Sequence, residues 1–182
     1  MKAFFDIDTQ IDFVFPAGAL YGPGAVGVIP KVAALNHYAG EHGIPLISTM
    51  CAHPEDAREF QVWPPHCIVG TVGQRKPAAT LLADRERQII IEKDDLDMFS
   101  NPNVLPLLDK LGIDECFVYG VFTEYCVKCA IMGLLKTGRN VSLVTDATAH
   151  LSQEEGARVV RDFLAAGGPA KAPGPEDAKS GK

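Results

Sequence analysis

The run Cys116-Phe-Val-Tyr-Gly-Val-Phe-Thr-Glu-Tyr-Cys126-Val127 reads as a buried strand that passes through a glycine into the start of a helix. Aromatic and β-branched residues over Glu115–Tyr119 suit a strand, and the 3.6-residue apolar spacing of Tyr125–Thr137, stopped by Gly138, suits a helix. The same strand-then-helix unit recurs outward in both directions. On the N-terminal side, Lys2–Ile7 is a short apolar strand and Thr9–Gly24 a loop rich in glycine and proline. A helix over Ala25–His42 follows, with Val28, Val32, Leu35 and Ala39 on one stripe and Gly43 as its cap. Ile44–Met50 is then a strand, Cys51–Lys76 a long segment with no period, Gln88–Glu92 a strand, and Val104–Leu111 a short helix ended by Gly112. On the C-terminal side, Asn140–Thr145 is a strand. Ser152-Gln-Glu-Glu155 is a capping box that opens a helix to about Ala166. Five repeats of this alternation predict an α/β three-layer sandwich: a mainly parallel sheet of five or six strands with helices on both faces.

Length and composition narrow the function. A chain of 182 residues, 47% of them hydrophobic, holds enough apolar surface for one core. The expected division is one domain over residues 1–166, followed by a disordered tail over 167–182 rich in Pro, Gly, Ala and Lys. A net charge of −6 argues against a nucleic-acid surface, and no apolar run is long enough for a membrane span. Five cysteines with no secretory leader fit a reducing compartment, so a cytoplasmic location is expected.

In parallel sheets ligands bind beyond the carboxyl ends of the strands. The residues that follow successive strands here are Asp8, Cys51 with His53, Lys93, the Gly120–Cys126 turn, and Asp146. An acid, a cation and a thiol thus converge on one sheet edge. A thiol at a helix start beside Lys93 is expected to have a lowered pKa, and Asp8 can take and return its proton. The plainer alternative is an Asp–Lys ion pair beside a core cysteine. It accounts for any one of the three residues, but less readily for all three after successive strands.

The blocks Asp8-Thr-Gln-Ile-Asp12-Phe13, Trp63-Pro-Pro-His66-Cys67-Ile-Val-Gly70-Thr71, Lys93 and Thr123-Glu-Tyr-Cys126-Val127 resemble the signatures of the isochorismatase-like cysteine hydrolases, with nicotinamidases the most similar branch. The resemblance covers nearly all the chain before the tail. It implies the isochorismatase-like hydrolase fold and an Asp8, Lys93, Cys126 catalytic triad. It also implies a cis peptide before Phe122 and an oxyanion hole from the backbone of Phe122 and Cys126. The implied reaction is cysteine-dependent cleavage of a small amide through a thioester. Nicotinamide is the first candidate substrate, with carbamoyl and ureido compounds as alternatives. Phe13 and Trp63 match substrate-binding aromatic positions, although ordinary core packing would use them equally well, and family members commonly assemble as dimers or tetramers.

In nicotinamidases an Asp-x-His and the histidine of the Trp-Pro block hold a divalent metal. Here Cys51, His53 and His66 stand in those places, a set suited to Zn²⁺; the metal-free alternative has both histidines bonding loop backbone. Asp12 would orient a ligand histidine or cap a turn. Two departures put substrate identity in doubt: Asp97-Met-Phe99, and the segment Glu55-Asp56-Ala-Arg-Glu59-Phe60. A different class is also open, because Cys126-Val-Lys-Cys129 is a Cys-x-x-Cys at a helix start, as in thiol–disulfide oxidoreductases. Asp8 and Lys93 would have no role in that chemistry.

Overall fold

In the computed structural model, residues 1–169 are described. The expected tail lies outside them from residue 170 onward. Five parallel strands run β1 (Lys2–Ile7), β2 (Leu46–Cys51), β3 (Gln88–Lys93), β4 (Glu115–Gly120) and β5 (Asn140–Thr148), in the sheet order β3-β2-β1-β4-β5. The helices are a single turn α1 (Ile11–Val14), then α2 (Ile29–Glu41), α3 (Val104–Lys110), α4 (Lys128–Lys136) and α5 (Gln153–Ala165).

Strand side chains alternate between the faces, and each face finds its own helices. Phe4, Leu46, Phe117, Tyr119 and Val144 meet the Val32, Leu35 and Ala39 stripe of α2. Phe5, Ile7, Ile47, Val118 and Leu143 meet Leu108 of α3, Ile131 and Leu134 of α4, and Val159 and Phe163 of α5. The long helix α2, with the single turn α1, therefore covers one face and three helices cover the other, giving the three layers expected. No helix among the described residues is long and apolar enough to cross a membrane.

Several boundaries differ from the sequence reading, and three of the differences bear on the site or its supports. The Ala25–His42 helix begins as a 3-10 turn over Ala25–Val28, and Pro30, without an N–H, sits in the first turn of α2. Strand β2 runs through Cys51, because Gln10 clamps that residue's peptide: Cys51 N donates to Gln10 Oε1 at 2.7 Å, and Gln10 Nε2 donates to Cys51 O at 2.8 Å. Strand β5 continues to Thr148 past an irregularity in its pairing with β4. Asp146 therefore lies inside a strand, where it pairs with Lys31 at 3.2 Å on the surface and takes no part in the site.

Gly120 closes β4 at φ 117°, and a Cβ there would lie 2.1 Å from the Ile7 carbonyl oxygen. Only glycine lets the chain turn there against the central strand.

Candidate active site

The carboxyl ends of β1, β2, β3 and β4 bring Asp8, Cys51, Lys93 and Cys126 together, all buried. Asp8 follows β1 with φ 48°, a left-handed conformation uncommon outside glycine. Its Oδ1 accepts from Thr49 Oγ1 at 2.6 Å, and its Oδ2 from Lys93 Nζ at 2.8 Å. Lys93 Nζ also donates to the Asp95 carbonyl at 2.9 Å and faces Cys51 Sγ at 3.2 Å and Cys126 Sγ at 3.7 Å. The Asp8 carboxylate and the Cys51 and Cys126 sulfurs all lie within 4.8 Å of one another.

The protonation states follow from this packing. Burial alone would raise the Asp8 carboxyl, but the Lys93 ammonium, with hydrogen bonds from Lys93 and Thr49, holds it below its ordinary value. Burial would lower Lys93, yet Asp8 and the two thiols beside it raise it well above its ordinary value. Cys126 departs from the sequence expectation: its thiol is raised, first by its hydrogen bond with Cys51 and then by burial, with Lys93 opposing. The resting site is thus a carboxylate, an ammonium and a thiol, rather than a standing thiolate. Asp8, whose carboxylate lies within 4.8 Å of the Cys126 sulfur, is the base next to it.

Cys126 sits in a widened turn over Thr123–Val127, where Val127 N donates to the Phe122 carbonyl five residues back. The Val121–Phe122 peptide is cis. The Phe122 N–H takes part in none of the backbone hydrogen bonds that hold the Thr123, Tyr125 and Val127 amides. Glu124 ties down the facing loop, its Oε1 accepting from Leu151 N at 2.9 Å and also from Ser152 N.

A narrow pocket opens above the two sulfurs, walled by Phe13, Trp63, Leu96, Phe122, Tyr125 and Leu151, with about 20 Å³ of free space. Phe13 lies 5.6 Å from the Phe122 ring and Trp63 5.2 Å from Tyr125, both edge to face. The Asp97-Met-Phe99 segment does not shape this wall. Met98 is in the core, Phe99 packs at Gly133, and Leu96 is the pocket residue.

Beside the pocket, the metal-ligand set read from the sequence changes membership. Cys51 does not join the histidines, because the Gln10 clamp aims its sulfur at Asp8 and Lys93. The group that converges is His53, Glu59 and His66, with one ligand atom from each within 4.8 Å of the others. Glu59 Oε2 lies 3.7 Å from His53 Nε2 and Oε1 lies 3.6 Å from His66 Nε2, too far for hydrogen bonds. Both ring nitrogens of the buried His53 lack a hydrogen-bond partner. His66 Nδ1 bonds the Pro64 carbonyl at 2.8 Å, which turns Nε2 toward Glu59. Burial, reinforced by His66 and Lys93, depresses His53 to about 4, so the ring is neutral at pH 7 and one of its nitrogens offers a lone pair. Two histidines and one carboxylate with orphaned ring nitrogens fit a divalent metal such as Zn²⁺.

Glu59 carried only a weak signal in the sequence, since it lies six residues after His53 in a loop whose 3-10 turn over Arg58–Gln61 was not legible. Asp12 does not touch a ligand ring. Its carboxylate accepts from Cys67 N at 2.7 Å and Ala19 N at 3.1 Å, fixing the backbone that carries His66. Cys67 and Cys116 are buried thiols raised by desolvation, Cys116 to about 12, as expected of inert core residues. Cys129 lies on α4, half-buried, and its sulfur is not among the ligand atoms grouped around Asp8.

The Isochorismatase domain family matches residues 2–170. The chain belongs to the isochorismatase family. Within the family, a nicotinamidase of Schizosaccharomyces pombe is 26% identical over 195 residues, spanning 86% of each chain. A probable inactive nicotinamidase of Arabidopsis thaliana is 25% identical over 158 residues, 81% of this chain and 80% of that one. Among solved structures, the pyrazinamidase of Pyrococcus horikoshii in complex with zinc aligns with a TM-score of 0.84 at 28% identity, covering 93% of this chain and 97% of that one. The α/β sandwich of this isochorismatase-family chain is therefore the fold expected from its strand–helix alternation.

Proposed function

We propose that this isochorismatase-family protein is an amide hydrolase acting on C–N bonds other than peptide bonds, with Cys126 as its nucleophile. The observation that carries the reading is the Asp8–Lys93 pair placed against the Cys126 sulfur at the floor of a narrow aromatic pocket. Cys126 Sγ attacks the substrate carbonyl while its proton passes to Asp8. The N–H groups of Phe122 and Cys126 face the developing oxyanion. As the C–N bond breaks, Asp8 returns the proton to the departing nitrogen, which leaves as ammonia. Water then cleaves the thioester, with Asp8 again the proton carrier, and the thiol is regenerated. Lys93 keeps its proton throughout and holds Asp8 ionised between steps.

His53, Glu59 and His66 would hold a divalent metal that supplies a Lewis-acidic anchor for a substrate heteroatom at the pocket wall. Glu59 and His66 line that wall, and Phe13 and Trp63 frame the space where a flat ring would lie. Nicotinamide is the leading substrate, supported by the nicotinamidase and pyrazinamidase relatives. Carbamoyl and ureido compounds are the second class. Thiol–disulfide exchange through Cys126 and Cys129 is disfavoured, because the Cys126 sulfur is engaged with Asp8, Lys93 and Cys51.

The test is ammonia release from nicotinamide by the wild-type protein and by Cys126→Ala, with and without added Zn²⁺. Release that disappears in the variant is the expected result. Release that persists in Cys126→Ala would remove the assigned nucleophile.

A further inference from the structure

The reaction leaves unused a buried sulfur that lines the pocket beside Cys126. Cys51 Sγ lies 3.2 Å from Lys93 Nζ and 3.6 Å from Asp8 Oδ2, on the same charged pair as Cys126. It shares the pocket floor with Cys126, and the two sulfurs lie within 4.8 Å of each other. The Gln10 clamp on its backbone keeps it there rather than beside the histidines.

We propose that Cys51 is a resolving thiol for Cys126, so that peroxide converts the pair into a reversible disulfide that switches the site off. The inference rests on reading Cys126 as the activated thiol. Hydrogen peroxide is small enough for the pocket's free space. Asp8 takes the Cys126 proton, the sulfur attacks one peroxide oxygen, the O–O bond breaks, and the departing hydroxide is protonated to water. Cys126 is now a sulfenic acid, oxidised by two electrons. Cys51 sulfur then attacks Cys126 sulfur, the S–S bond forms and the S–O bond breaks. The leaving hydroxide takes the Cys51 proton through Asp8 and departs as water. In sum, two thiols and one peroxide give one disulfide and two waters. Reaching the ~2.05 Å bond length from the present separation needs an approach of less than about 3 Å. The disulfide removes the nucleophile but protects it from sulfinic acid, which thiols do not reverse.

The experiment treats the full-length wild-type protein with hydrogen peroxide and reads intact mass and non-reduced peptides. The expected product has lost two hydrogens, carries a peptide joining Cys51 to Cys126, and returns to the starting mass with dithiothreitol. Cys129→Ser should form the same link, whereas Cys51→Ser should gain two oxygens on Cys126 and not revert. Wild-type protein that gains oxygens on Cys126 without linking to Cys51, or that links Cys126 to Cys129, overturns the inference while leaving the nucleophile in place. Cys126 that stays a free thiol overturns both. The wild-type measurement stands alone if Cys51→Ser does not fold.

Discussion

At the scale of single residues, the site turns on how one lysine distributes its charge. Lys93 faces a carboxylate and two sulfurs from a buried position, and its effect on Asp8 outweighs that carboxyl's own desolvation. The signs for stability follow. Asp8 is depressed in the folded protein, so its contribution is present above its unfolded value near 3.9 and is lost as pH falls through the folded value. Lys93 is raised, so its contribution is present below about 10.4 and is lost as pH rises through the folded value. Both groups are therefore charged across the neutral range. Lys93→Gln should lower kcat/KM by at least about 100-fold and move the acid limb of its pH profile upward, because Asp8 loses the charge that depresses it. An acid limb unmoved in the variant would mean that Lys93 does not set the state of Asp8.

At the scale of elements, Gly120 decides whether β4 can end against β1 and release the turn that carries Cys126. Gly120→Ala places a Cβ against the Ile7 carbonyl oxygen at a φ that L-residues avoid. It should cost about 2–4 kcal/mol, read as a lower urea midpoint; an unchanged midpoint would show that the turn relaxes freely. The elements themselves were largely legible in the sequence. Alternation marked every strand, and Gly43, Gly112 and Gly138 marked three helix ends with positive φ. Ser152 caps α5 as read, its Oγ accepting from Glu155 N, but the return arm of the box is replaced, since Ser152 N donates to Glu124 instead. Legibility failed in the long loop after β2, where no period exists to betray which side chains turn inward. Cys51 was read there as a ligand because it stands in the family's Asp-x-His place, but the strand runs through it and Gln10 fixes its direction. Glu59 depended on a 3-10 turn over Arg58–Gln61 that no local pattern marks.

At the scale of the whole molecule, a second buried ion pair lies behind the first. Asp6 and Lys76, both fully buried, pair at 3.1 Å, and Asp6 also accepts from Thr9, Asn36 and Ser48. Asn36 in turn accepts from Tyr119, so the network joins β1, β2, α2, β4 and the loop before β3. Removing one partner strands a charge in the interior, so Lys76→Met should lose about 3–5 kcal/mol of stability. A urea midpoint lowered at constant m-value would report that loss, and an unchanged midpoint would count against the network's structural weight. The strand order carries a different consequence, one of timing. β2 and β3 stack on one side of β1, and β4 and β5 on the other. Asp8, Cys51 and Lys93 all belong to the half of the sheet that leaves the ribosome first. Chain order therefore has the carboxylate and the ammonium of the site synthesised before the sulfur they act on.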